Sequence, residues 1–267
     1  MATSLQTLIS LLSATALILT VATAKRPPPK GTVSFSYDFH GVQPIGVTLQ
    51  GDANFPSQDS YLRLTKTNDY NGNAAELSVG RVLYTKPVPF WGKRGKSSFE
   101  STVKFIVTPN TNYEYPPADG LVFFITAPNS TVNEPGGSFG VFDQSGKNPL
   151  VFAVEFDIFI NEDFDPNYRH VGIDIQSQVS SVTTAVDDAI VGQAVTATIN
   201  YDAATNLISV RGSAGGKAFE VSYVYDLSSF LPEQVQVGIS GATGGLSAIH
   251  DLISWSFTST MGRKKNN

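Results

Sequence analysis

The sequence predicts an all-β protein, an antiparallel β-sandwich of jelly-roll type, in one domain. Three observations predict it. Short segments of alternating apolar and polar side chains recur along most of the chain, as half-buried strands require. Gly, Asn, Asp and Pro clusters separate them. No segment of helical length carries a 3.6-residue period, and only a turn near residues 227–231 is expected to be helical. At 267 residues, 41% hydrophobic and 15% charged, the chain can bury one sizeable core. No internal repeat or dividing linker breaks it up.

In chain order, residues 1–24 read as a secretory signal: an apolar run from Leu8 to Val21, then the small triplet Ala22-Thr23-Ala24 as the cleavage site. The run is short for a membrane span. The expected destination is the secretory pathway, extracellular or vacuolar. Residues 25–31, KRPPPKG, form a Pro-rich basic tail too stiff and polar to pack. The globular domain is expected over 32–260, and a second basic tail over 261–267. Strands are expected in GTVSFSYDFHG (31–41), SSFESTVKFIV (97–107), LVFFIT (121–126), VFAVEFDIF (151–159) and HVGIDI (170–175). More follow in VTATINYD (195–202), LISVRG (207–212), KAFEVSYVYDL (217–227), VQVGIS (235–240) and LISWSFTST (252–260).

Cysteine is absent, which removes thiol nucleophiles, zinc-thiolate sites and disulfides; stability must come from the core, assembly or bound metal. The net charge of −5 argues against a nucleic-acid partner. One glycosylation sequon, Asn129-Ser130-Thr131, follows Pro128 in an expected loop, and occupancy is expected.

The chemistry concentrates in VFAVEFDIFINEDFDPNYRH, residues 151–170. Residues two apart on a strand point the same way, about 7 Å apart. Glu155, Asp157, Phe159 and Asn161 therefore share one face, and Val154, Phe156, Ile158 and Ile160 the other. Two carboxylates on a partly dry face repel each other and resist leaving water, so the face is either wet or compensated by positive charge. With Asp165, His170 and the Phe159 carbonyl, the donors are oxygen-rich and nitrogen-poor. That suits Ca²⁺ on the all-oxygen side and Mn²⁺ or a related metal beside the imidazole, not a closed zinc site. Solvated acids on an outer face remain the alternative. A jelly-roll glycosidase would need E-x-D-x-x-E; Ile160 or Asn161 stands where the second Glu is required, which disfavours hydrolysis. GSAGGK (212–217) is one residue short of a phosphate loop and reads as a hairpin turn. His40 and His250 read as loop or packing residues. Asp119 before an apolar strand, and the Gly pair of PGGSFGVF, could meet a ligand closely, though each alone reads as an ordinary turn.

Taken together, these motifs resemble the legume lectin family across residues 32–260. The resemblance is carried by TVSFSYDF, LQGDA (49–53), GRVLYTKPVPFW (80–91), PADGLVFF (117–124), GGSFGVF (136–142) and AVEFDIF-N-DP (153–166). HVGIDIQS (170–177), LP-VQVGISGATG (231–244) and HDLISWSFTST (250–260) complete it. It implies the concanavalin A-like flattened jelly roll with adjacent Mn²⁺ and Ca²⁺ sites beneath a shallow sugar pocket, in a binding protein and not an enzyme. By motif, Glu155, Asp157, Asp165 and His170 would bind Mn²⁺; Asp157, the Phe159 carbonyl, Asn161 and Asp165 would bind Ca²⁺. The Ala118-Asp119 bond would be cis. Asp119 and Asn161 would bond sugar hydroxyls, Gly137 would give its N–H, Phe159 would stack on the ring, and Gly245 and Leu246 would add backbone donors. The partners implied are glycans and glycoproteins, met by a homodimer or homotetramer. Only GLSAI separates Gly244 from His250, which resembles the mannose/glucose-binding members. Phe164 replaces the usual Trp of the metal loop, and TTAVDDAIVG (183–192) lacks an aromatic often found there. The alternative within the fold is a storage or defence relative that binds no sugar.

Overall fold

The computed structural model describes residues 31–111, 115–186 and 188–262. The expected signal, nearly all of the Pro-rich tail and residues 263–267 lie outside them. The strands in chain order are β1 (Thr32–Asp38), β2 (Val47–Gly51), β3 (Leu62–Arg63), β4 (Val79–Tyr84), β5 (Val88–Pro89) and β6 (Trp91–Gly92). Next come β7 (Gly95–Pro109), β8 (Gly120–Thr126), β9 (Lys147–Asp157), β10 (His170–Ser177) and β11 (Val182–Ala185). The last are β12 (Ala194–Asp202), β13 (Leu207–Ala214), β14 (Lys217–Val224), β15 (Gln234–Ala242) and β16 (Ala248–Met261). One sheet runs β1-β16-β7-β12-β13-β14 and the other β11-β10-β9-β8-β15-β4-β2, with antiparallel neighbours throughout.

The period-2 pattern explains the layers. Along β7, Phe99, Val103, Phe105 and Val107 are buried while Glu100, Lys104 and Thr108 are exposed. The apolar faces of both sheets meet in one core that includes Phe105, Phe123, Phe152, Phe156, Trp255 and Phe257. A second, smaller core lies on the other face of the β8–β9 sheet. There Val122, Phe124, Val151 and Ala153 pack with Phe139, Val141 and Phe142 from the loop after β8. That sheet is thus buried on both faces, so β8 has no polar alternation and all seven of its residues are buried.

Three 3-10 turns occur among the described residues: Gly136–Ser138, Asp188–Ile190 and the expected one, Leu227–Ser229, capped by the Asp226 side chain. GSAGGK is the β13–β14 hairpin: Gly215 and Gly216 turn with φ of 54° and 80°, a conformation that favours glycine. His250 is a strand residue with no exposure, its Nδ1 3.1 Å from the Thr65 hydroxyl, and burial lowers its pKa to about 3. The strand expected to reach Phe159 stops at Asp157, because Phe159 N–H donates to Asp157 Oδ1 at 2.8 Å and bends the chain. Phe159 therefore lies past the strand's end, and Ile160, expected on the apolar face, is 36% exposed.

Candidate functional site

Strand register builds the acidic cluster. On β9, Asp157 stands between Gly120 of β8 and His170 of β10; Glu155 stands between Val122 and Gly172. Glu155, Asp157 and His170 are all at most 1% exposed, and their ligand atoms lie within 4.8 Å of one another. His170 Nε2 is 2.8 Å from Glu155 Oε1. Gly172 leaves the room: a Cβ there would meet Ser180 Oγ at 1.9 Å and Glu155 Oε1 at 2.5 Å.

Two more groups, buried Asp174 and half-buried Ser180, were absent from the motif reading and complete the cluster. Ser180 Oγ lies 2.6 Å from both Glu155 Oε1 and Asp174 Oδ1. A hydroxyl has one proton, so one of these contacts needs a proton on a carboxyl. Burial, then the Glu155 charge, pushes Asp174 well above the carboxylate range. Its signal was the parity of HVGIDI, which places Asp174 on the face of His170 and Gly172.

The other acids behave alike. Burial, then the charges of Glu155 and Asp165, raises Asp157 well above 3.8. Burial raises Asp165 to about 6 and Asp119 to about 7. For His170, burial lowers the pKa, but the bond and charge of Glu155 outweigh it and the net direction is up. Asp165 lies outside the Glu155–Asp157–His170 group; its Oδ2 accepts Asn161 N–H at 2.7 Å, closing the 161–165 turn.

These residues fit divalent cations. Asp157 Oδ2, Asn161 Oδ1 and Asp119 Oδ2 are buried with no hydrogen-bond partner, an arrangement that costs about 1–3 kcal/mol per group unless something electropositive meets them. Crowded carboxylates with raised pKa values are what a cation of charge +2 would reverse. The donors are oxygens with one imidazole, in keeping with the expected pair of ions.

The expected sugar residues come from four loops. Asp119, 3% exposed, follows a cis Ala118-Asp119 bond; its N–H donates to Ala242 O and its carbonyl accepts from Ile158 N–H at 3.0 Å. Gly136 N–H donates to Thr243 O, which ties the Gly-pair loop to the 243–247 loop. A Cβ on Gly137 would lie 3.0 Å from Asn161 Oδ1 and 3.1 Å from the Phe164 ring; one on Gly244 would lie 3.0 Å from Asp119 Oδ2. Asp119, Gly137 and Asn161 are thus brought to one spot, where Phe164 packs against Gly137. Phe159 and Leu246 are half-buried and Gly245 is exposed. Asn129 is exposed, with φ of 63° in the turn after β8.

The family model for the legume lectin domain matches residues 32–267. The chain belongs to the legume lectin family. This lectin is 38% identical over 242 residues to Agglutinin-2 of Cladrastis kentukea, covering 86% of this chain and 82% of that one. It is 39% identical over 245 residues to an alpha-methyl-mannoside-specific lectin of Arachis hypogaea, covering 86% and 85%. Among solved structures it is similar to the metal-free form of lectin I-B4 from Griffonia simplicifolia: TM-score 0.79, 36% identity, covering 86% of this chain and all of that one.

Proposed function

We propose that this lectin binds glycans non-covalently, of mannose/glucose type, at the pocket of Asp119, Gly137, Phe159, Asn161, Gly245 and Leu246. The observation that carries the reading is that the Gly136–Gly137 pair adjoins both Asp119 and Asn161, two residues with buried oxygens that lack partners: a Cβ on Gly136 would lie 3.9 Å from Asp119 Oδ1, and one on Gly137 3.0 Å from Asn161 Oδ1. A carboxylate and an amide recognise hydroxyl pairs, a backbone N–H adds a donor, and the Phe159 ring can take an apolar sugar face. Ca²⁺ and Mn²⁺ would supply the positive charge that keeps Asp157 and Asp165 ionised and the 159–165 loop in place. Glu155, Asp157, Asp165 and His170 would hold Mn²⁺; Asp157, the Phe159 carbonyl, Asn161 and Asp165 would hold Ca²⁺. The short 245–249 segment and the mannoside-specific relative support the sugar type. A signal over 1–24, a glycan on Asn129 and assembly into dimers or tetramers belong to the same reading of an exported, multivalent binder. A glycan array run with and without chelator tests it: mannose- and glucose-terminated glycans should bind only with divalent ions present. Dominance of galactosides would reject the sugar type, and chelator-resistant binding would reject the metal role.

A further inference from the structure

The hairpin that follows β3 stands beside the proposed sugar pocket yet supplies none of its residues. Its neck is the Thr67–Ala74 bridge, reinforced by Ala75 N–H on Lys66 O at 2.8 Å. Its tip is closed by Asn68 N–H on Asn73 O at 2.7 Å, Gly72 N–H on Asn68 O at 2.8 Å and Tyr70 N–H on Asn68 Oδ1 at 2.9 Å. The hairpin is also tied to the loop that carries Gly245 and Leu246. Leu77 N–H donates to Gly244 O at 2.9 Å, Thr243 Oγ1 donates to Ala75 O at 2.7 Å, and Ser247 Oγ donates to Ala74 O at 3.1 Å. Asn110, just past β7, completes the tie: it accepts from Ala74 N–H at 2.7 Å and donates to Ser247 Oγ at 3.1 Å.

A cleft of about 620 Å³ opens on this hairpin, and its lining includes Asp52, Lys66, Asp69, Tyr70, Glu76 and Leu77. Tyr70 is 96% exposed and Leu77 69%, so both present apolar surface on a hairpin that is otherwise polar. Leu77 has a φ of 52°, a left-handed backbone that leucine rarely takes, and its N–H bond to Gly244 O holds it there. Gly244 in turn adjoins the pocket, since a Cβ on it would lie 3.0 Å from Asp119 Oδ2. Backbone bond lengths then place Leu77 N within about 10 Å of Asp119 Oδ2, a gap that linked rings of one glycan bridge.

We infer that this cleft is a subsite for a further, neutral sugar residue of the glycan whose terminal residue sits at Asp119; the inference rests on the proposed sugar-binding role. Tyr70 offers a face for the apolar side of a ring, and the carboxylates of Asp69 and Glu76 accept from pairs of hydroxyls. Three acids against Lys66 alone disfavour sialylated, uronic or sulfated residues. The acids do not make an ion site: among the described residues only Glu155, Asp157 and His170 bring three such ligand atoms within 4.8 Å of one another. Because the hairpin is held at both neck and tip, binding needs little further ordering of the chain, and the contacts are expressed as affinity.

The test is calorimetry on the metal-loaded full chain without its signal, comparing methyl α-mannoside with α-linked di- to pentamannosides. The longer ligands should bind about tenfold or more tighter than the monosaccharide. Tyr70→Ala and the pair Asp69→Asn/Glu76→Gln should each cut that ratio about fivefold and leave methyl α-mannoside affinity unchanged. Unfolding temperature should also hold, because all three side chains are exposed. Lys104→Gln, exposed on β7, should leave both affinities as they are. Should the glycan array favour another sugar, that sugar and its oligomers take the place of the mannosides. Monosaccharide binding with no gain for any oligomer, a gain that survives both variants, or tighter binding of sialylated oligosaccharides would overturn the subsite alone. Failure to bind any sugar would overturn it together with the proposed function.

Discussion

Asp119 shows how one residue's environment sets its job. It is buried and its Oδ2 has no hydrogen-bond partner, and burial lifts its pKa to about 7. Asp119→Asn keeps the shape and removes the charge, and sugar affinity should fall about 10- to 100-fold by calorimetry, with unfolding temperature little changed. Gly172→Ala acts next door: a methyl group 1.9 Å from Ser180 Oγ displaces the hydroxyl that holds Glu155, and Mn²⁺ affinity should drop about tenfold or more by metal titration. The raised acids also set a pH dependence. Asp119 and Asp165 fold with pKa values of about 7 and about 6 against 3.8 unfolded, so the metal-free fold holds more protons than the open chain between those values. Their stabilising contribution is present below pH 3.8 and lost as pH rises through 6 and 7. Thermal unfolding of chelated protein should show stability falling across that window, while the gain from added Ca²⁺ and Mn²⁺ grows. A flat difference between the two curves would contradict the cation's role.

At the scale of elements, β8, β9 and β10 do the positioning and Arg81 of β4 holds the cover. Its guanidinium, 1% exposed, donates to Thr131 O at 2.7 Å, Gly140 O at 3.1 Å and Ser130 Oγ at 2.8 Å, and lies 4.9 Å from the Phe124 ring centre. With no carboxylate beside it, burial lowers its pKa to about 10. It closes the loop after β8 over the second core, on the way to Gly137. Arg81→Met should destabilise the fold by about 2–4 kcal/mol in urea unfolding, because the carbonyls it serves lose their donor. The long strands were legible in the sequence because β7 and β12 alternate cleanly, and β16 does so on either side of a register shift at 252–254; so were Glu155, Asp157 and His170. The end of β9 was not: its parity continued through Phe159 until a side-chain bond to Asp157 Oδ1 bent the chain. The second core was also illegible, because β8 reads as a plain apolar run and its partner residues come from a loop that only tertiary structure brings over it. Arg81 and Ser180 escaped for the same reason, being ordinary polar residues made functional by distant partners.

On the scale of the whole molecule, a cysteine-free sandwich places a buried acidic cluster beneath four loops, toward the end of the fold where β16 begins. On the proposed reading, the large core between the sheets would hold the frame without cations, while the ions in the cluster would arrange the loops around Asp119 and Asn161. Chelation should therefore leave the far-ultraviolet β signature intact while the loops loosen, a separation that hydrogen exchange would show as lost protection in 159–165 with β7 and β16 unchanged. The most direct measurement is calorimetric titration of methyl α-mannoside into the chelated lectin, repeated after Ca²⁺ and Mn²⁺ are restored. Heat of binding should be absent in the first and return in the second. Equal affinity in both would mean that the buried acids do not need a cation to shape the pocket.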